Sequence, residues 1–412
     1  MLRDSFERSL WSLLSVLLFL ASALTASAPV HASEPTAHIS DLGFVRDVAT
    51  PAVDVQRVVH VPRSIRSDGS RDVTKRLQRF IGSVPDNSRI VFKRHGIYRI
   101  DGTITIAHRS NLVFSGRGAE LRAVIWRGTS RTRSQLRFVG GGNLVIRKLR
   151  VRGANPFAGN EDDRAYNSLY EAQHGFDIAG VQTMLLDNVR ATDTWGDFVY
   201  IGPDNPSQGV FIPSRDVTVQ NSTFARNGRQ GICVCSGEDI LIKNNRLRDM
   251  RRSVFDIEPS GSGWPVHRVS FVRNKTSNHR LNYFANAGLG GDSITDIYFG
   301  YNTDDRGGID VRNPGDTDTA RANYIFEYNN ITGVPRSPDA AFQFRAPWGG
   351  PGIINITVRN NKLTFLDGAD MAAVSLQNAH TVQVNDNVFT GAGKVLIADA
   401  SSTGYSESNN TT

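Results

Sequence analysis

Apolar and polar residues alternate with period two in short runs along most of the chain, the signature of strands rather than helices. From about residue 174 a two-part unit returns. Its first run reads His174–Gly180, Asp197–Gly202, Gln230–Ser236, Ser253–Glu258, Asn282–Asn286, Gly307–Arg312, Ala340–Arg345 and Ala372–Gln377, each of a length that suits one strand. A loop of variable length follows, then a second run such as Val217–Val219, Ile240–Ile242, Val269–Phe271, Ile297–Phe299, Ile356–Val358 or Val382–Val384. Next comes a polar turn whose residues Asn188, Ser222, Asn245, Asn274, Asn302, Asn329, Asn361 and Asn387 lie 23 to 34 residues apart. That irregular interval predicts a solenoid of three-strand coils with variable loops. Asparagine tolerates left-handed turns and can bond to the next coil, so the column reads as scaffold.

Upstream, Ile90–Phe92, Ile104–Ile106, Leu112–Phe114, Leu136–Phe138 and Leu144–Ile146 continue the rhythm as the first coils. Before them Asp72 is placed to cap a helix over 72–84, with Val73, Leu77, Phe80, Ile81 and Val84 on one face and Pro85 as its stop. Such a helix would cover the open end of the solenoid. The expected organisation is therefore all-β: a parallel β-helix over 72–400 with an N-terminal capping helix, preceded by an extension over 33–71 and followed by a loose tail over 401–412, rich in Ser, Thr and Asn. Residues 1–32, with Arg3 and Arg8, an apolar run from Leu10 to Leu24 and small residues ending at Ala32, have the layout of a cleavable secretory signal. The expectation is an exported protein with no membrane span once that signal is removed.

Charge and cysteine content refine this picture. Lys and Arg number 47 against 40 Asp and Glu. Arginine predominates among the cations, and its fork matches carboxylate and sulfate groups. For an exported chain the matching partner is an acidic polysaccharide rather than nucleic acid. Cys233 and Cys235 are the only cysteines, too few for a disulfide scaffold. On one strand, alternate positions stand about 6 to 7 Å apart, which favours free thiols.

The stretch from Asp72 to Ile106, with Pro85-Asp-Asn-Ser-Arg-Ile-Val-Phe92 leading to Gly96-Ile-Tyr-Arg-Ile100, together with the Asn-turn coils, resembles the pectin lyase-like superfamily of right-handed parallel β-helices. The resemblance implies that fold, and an activity drawn from polysaccharide lyases, glycoside hydrolases, uronate epimerases or viral tailspikes. Polygalacturonase-type hydrolases of the superfamily carry Asn-Thr-Asp-Gly, Asp-Asp and Gly-His-Gly on three successive coils. The corresponding places here are Gln173-His174-Gly175, Gly196-Asp197 and Arg229-Gln230-Gly231, of which only Asp197 is retained. The Asp-Pro-His motif of mannuronan epimerases is absent at Phe176-Asp177-Ile178.

Strand parity sorts the candidate chemistry. With Phe176, Ile178, Val199, Ile201, Phe255, Ile257, Ile309 and Val311 inward, the outward ribbon carries Asp177, Tyr200, Cys233, Cys235, Asp256, Glu258, Asp310, Arg312, Gln343 and Arg345. Asp256, Glu258 and Asp310 are the candidate acid and base of a glycoside hydrolase, with His174, Asp177 and Asp197 as further proton carriers. Separations of about 6 to 10 Å along and between coils would suit an inverting pair. Arg312, Arg345, Tyr200, Arg229, Trp264 and Trp348 are candidate substrate contacts, and Phe211, Trp264 and Trp348 lie in enlarged loops that would wall a cleft. A hydrolase needs no cofactor; in a lyase or uronate epimerase the same carboxylates would hold Ca²⁺. A glycan-binding or adhesin-like surface protein is the non-catalytic alternative.

Overall fold

The computed structural model describes residues 48–412 except 262, 287–292, 315–320, 335–339, 348–349 and 367–370. Residues 1–32, expected to form a secretory signal, and Trp348 lie outside the described residues. Three long sheets of 13, 12 and 11 parallel strands run side by side, and a two-stranded antiparallel hairpin projects from them. Each coil visits the sheets in one order. Phe176–Ala179 belongs to the 11-stranded sheet, Gln182–Asp187 to the 13-stranded and Arg190–Thr194 to the 12-stranded; Val199–Gly202 then stacks on Phe176–Ala179. This is a right-handed parallel β-helix. Its axis is filled by one apolar column containing Phe176, Ile178, Val199, Ile201, Phe255, Ile257, Ile309, Val311, Phe342 and Phe344, the inward set expected from parity. Stacked rings such as Phe255–Phe271 and Phe271–Phe299, with centroids 5.0 and 5.1 Å apart, add packing along the axis.

The polar column forms a buried ladder. The Oδ1 atoms of Asn274, Asn302, Asn329, Asn361 and Asn387 each accept the backbone N–H of the ladder residue one coil earlier, at 2.9 to 3.1 Å. Asn410 continues it by accepting from Asn387. Two details correct the sequence reading. The left-handed residue is the one before each ladder position, namely Asn221, Asn244, Arg273, Tyr301, Tyr328, Asn360 and Asp386. Asn188 belongs to that exposed column, and the buried ladder position on its coil is Val189.

Both ends of the helix extend beyond the expected limits. Arg57–His60 already pairs with Ser88–Val91, and Asp68–Asp72 with Ile97–Arg99, so part of the 33–71 extension is solenoid. The capping helix spans Thr74–Ser83 and takes the place of the third strand in its coil. Asp72 sits one residue outside the cap and accepts from Thr74 N at 2.9 Å. Gln78 closes the edge below: its amide donates to Thr105 O at 2.8 Å and accepts from Thr105 N at 2.7 Å, as a neighbouring strand would. At the other end the tail is ordered, because Thr403–Ser408 pairs in register with Ala379–Asn385. Backbone pairing there needs no apolar alternation, which is why a polar stretch reads as loose. No helix among the described residues is long and apolar enough to cross a membrane.

Candidate functional site

The outward ribbon lies on the 11-stranded sheet. Register places Asp177, Tyr200, Cys233, Asp256, Ala285, Asp310 and Gln343 in one column, one per coil. Outward does not mean exposed: Asp177, Cys233, Asp256, Asp310 and Gln343 are all buried, covered by loops and by one another.

A cleft of about 550 Å³ opens over the N-terminal half of this column, and Glu171, His174, Asp177, Tyr200, Arg229 and Glu258 face it. Trp264 and Phe211, 5.7 Å apart, also line it. Phe211 is carried there by the hairpin of Asp204–Ser207 and Val210–Ile212. Arg137 is a further lining residue. Its Nε approaches the Asp177 carboxylate at 3.5 Å, and Asp177 also accepts from Ser134 Oγ at 3.0 Å.

Beneath the cleft a second polar ladder climbs the turn that leads into this sheet. His174 Nδ1 accepts Asp197 N at 3.1 Å, Asp197 Oδ1 accepts Gln230 N at 2.9 Å, and Gln230 Oε1 accepts Ser253 N at 2.8 Å. His174 therefore presents Nδ1 to the backbone and stacks its ring on Tyr200, with centroids 4.7 Å apart. Burial pushes its pKa down to about 4, so the imidazole is neutral near pH 7. Burial pushes Asp197 the other way, up to about 6, against the pull of Arg229. Asp197 is wholly enclosed below the cleft, where the ladder and Arg229 occupy it.

Arg229 organises the acidic groups. It donates from Nη1 to both Asp197 oxygens at 3.2 and 3.0 Å and from Nη2 to Glu258 Oε2 at 2.5 Å, while its Nε lies 3.7 Å from Glu171 Oε2. Burial opposes the guanidinium charge, yet Asp197 and Glu258 beside it hold it protonated. Asp256 accepts from Gln230 Nε2, and its pKa is raised, first by burial and then by the neighbouring Glu258 charge. Oxygens of Asp256 and Glu258 come within 4.8 Å of each other, closer than extended-strand spacing predicts. The Cys233 and Cys235 sulfurs, both free thiols, lean to 3.4 Å because Cys235 falls just past the strand Ile232–Val234. Cys233 joins Asp256 and Glu258 within 4.8 Å, but a thiol is a poor Ca²⁺ ligand and Arg229 already holds Glu258. That donor set does not fit Ca²⁺.

Asp310 stands apart. Ala285 separates it from Asp256, and its two oxygens are taken by Arg345 Nη2 at 2.9 Å each and by Arg312 Nε at 2.8 Å. Asp310, Arg312 and Arg345 form their own ion-paired cluster outside the cleft lining. Glu171 is the residue that sequence reasoning missed. It ends the irregular insert 152–173, which is fixed by the rings of Trp126, Tyr170 and Trp195 at 5.2 to 5.9 Å, and it accepts from Tyr166 at 2.9 Å.

Residues 85–313 match the family of the right handed beta helix region, more than half of the chain. The chain belongs to that family. The fold of this β-helix is that of the pectin lyase-like superfamily. It is similar to the exopolygalacturonase of Thermotoga maritima, with 13% identity, 90% of this chain and 94% of that one covered, and a TM-score of 0.57. The endo-xylogalacturonan hydrolase of Aspergillus tubingensis gives 14% identity, 86% and 96% coverage and the same score. PfbA, a surface adhesin of Streptococcus pneumoniae, gives 12%, 82%, 91% and 0.55. At these identities the likeness is one of fold. No curated protein matches the sequence.

Proposed function

We propose that this β-helix is an exported glycoside hydrolase that cleaves a polysaccharide, acidic or richly hydroxylated, in the cleft over the 11-stranded sheet. One observation carries the reading: the Asp256 and Glu258 carboxyls crowd to within 4.8 Å of each other, Asp256 buried with its pKa raised and Glu258 lining the cleft. Crowding of two carboxyls raises the pKa of one of them, the direction that a general acid needs. The proton held at Asp256 would pass by way of Glu258, which lines the cleft, to the glycosidic oxygen. Glu171, which also approaches the Arg229 guanidinium, would activate water. Trp264 and Phe211 would stack on sugar rings, and Arg137 and Arg229 would meet acidic substituents.

The neutral His174 ring on Tyr200, with Arg137 and Arg229 in the same cleft, supports a second reading. A lyase or uronate epimerase would use that ring to take the proton beside a uronate carboxylate held by the arginines. A panel of acidic and neutral polysaccharides separates these, read both for new reducing ends and for the ultraviolet absorbance of unsaturated uronates. Hydrolysis predicts reducing ends without unsaturation, abolished by Glu258→Gln and strongly reduced by Asp256→Asn. Reducing ends that survive both substitutions would overturn the site. Unsaturated products would establish the lyase, and binding without either product the adhesin-like protein.

A further inference from the structure

A second groove, of about 610 Å³, runs along the corner between the 13- and 12-stranded sheets, away from the sheet that carries the cleft. Its lining includes Arg94, His95, Arg117, Lys148, Arg150 and Arg190, and contains no aspartate or glutamate. Arg94 and Arg117 also face an adjoining cleft of about 900 Å³ with His60, Arg63 and Lys93, so the basic track continues toward the N-terminal coil.

Three features set this corner apart from a merely solvated basic surface. His95, Arg117 and Lys148 fill the left-handed turn position of three successive coils, with φ of 55°, 54° and 53°. Later coils often place asparagine there, the residue that tolerates the conformation; an arginine or lysine accepts strain to stand in that column. Arg150 and Arg190 are direct neighbours across paired strands, an arrangement in which like charges repel. Nor does Glu120, in register with Arg150, relieve the repulsion, since its carboxylate accepts from Arg122 at 2.5 Å. By contrast Arg152, two residues on, is paired with Asp193 at 2.8 Å. Carboxylates are thus available on this sheet and are directed away from the groove.

We propose that this corner is a binding track for a linear polyanionic polysaccharide, carboxylated or sulfated. Cations recur once per coil, about 4.8 Å apart, in line with a chain that carries charge at each sugar. Arginine forks suit carboxylate and sulfate oxygens. The groove offers no Phe, Tyr or Trp face on which the bases of a single-stranded nucleic acid would stack. Engagement here and at the cleft by one polymer would raise its effective concentration over the catalytic groups.

The test is direct binding of heparin and of polygalacturonate to the full chain by calorimetry over a salt series. R117N/K148N/R150S places residues that the left-handed turns of later coils already accept at two of its three positions. R79S/R89S/R280S removes the same charge from exposed arginines elsewhere. The groove variant should bind both polymers at least tenfold more weakly, with a shallower salt dependence, and the control should bind like the parent. Equal binding by parent and groove variant would overturn the proposal. So would a DNA duplex that binds as tightly as heparin and is lost in the groove variant, since that would make the occupant a nucleic acid. Only binding is read, so the outcome stands whether or not the cleft hydrolyses anything.

Discussion

His174 and Asp197 are adjacent rungs of one buried ladder, displaced in opposite directions from their ordinary pKa values, and this gives a prediction with two signs. Native His174 refuses a proton until pH falls to about 4, whereas the unfolded chain takes it near 6.5. The contribution is fully present above the unfolded value and is lost as pH falls, by roughly 3 kcal/mol over that interval. Native Asp197 keeps its proton up to about 6 and the unfolded chain releases it near 3.8. Its contribution is fully present below the unfolded value and is lost as pH rises through about 6, again by roughly 3 kcal/mol. His174→Gln and Asp197→Asn each keep an acceptor for the backbone N–H one coil on, so each variant mainly deletes a titration. Urea unfolding followed by tryptophan fluorescence across about pH 4 to 7 measures the stability gap between parent and variant. The gap to His174→Gln should move in the parent's favour as pH rises. The gap to Asp197→Asn should move against the parent over the same range. Gaps that stay constant, or shift in the same direction, would refute the protonation states assigned to the ladder.

Three further outcomes follow from the geometry. Asn302→Ala removes the acceptor for Asn274 N and the donor to Phe271 O, both buried, and should cost about 2 to 5 kcal/mol by urea titration, with the loss localised by hydrogen exchange to the coils on either side. Gly196→Ala would set a Cβ 2.3 Å from Glu171 O and 2.8 Å from His174 Nδ1. It should lower kcat of any turnover at the cleft by tenfold or more and reduce the thermal midpoint. The Cys233 thiol, raised by its contact with Cys235 and by burial, should resist Ellman's reagent in the native protein, and two thiols should react after unfolding.

The coils were legible because their inward residues obey a simple alternation. Phe176 and Ile178, or Phe342 and Phe344, sit two apart with a polar residue between, and a slip of one would invert the face. The 12-stranded sheet was harder to see. Several of its strands are very short: Thr303–Asp304 has two residues and Arg150–Arg152 three, one buried residue flanked by arginines, too few to show a period. Asn188 misled for a related reason. Asparagine serves both the left-handed turn and the ladder position after it, and composition does not distinguish the two.

Parity told which way a side chain leaves the sheet and could not tell what meets it there. Asp256 and Asp310 look equivalent in sequence, both outward and both next but one to another charged residue. Gln230 on the coil before and Glu258 on its own strand crowd Asp256, whose pKa is raised by burial and by the Glu258 charge, whereas Arg345 from the next coil turns Asp310 into the centre of an ion pair. Such distinctions arise between coils, from residues 26 to 35 positions away. They depend on loop lengths that the repeat leaves free to vary. The same freedom placed Glu171. An insert with no period of its own, clamped by Trp126, Tyr170 and Trp195, brings its carboxylate to the guanidinium that Asp197 and Glu258 already share. In a solenoid the strands set the spacing and the inserts choose what meets the ribbon, so the proposed activity is to be tested where inserts and ribbon meet at Arg229 rather than along the ribbon as a whole.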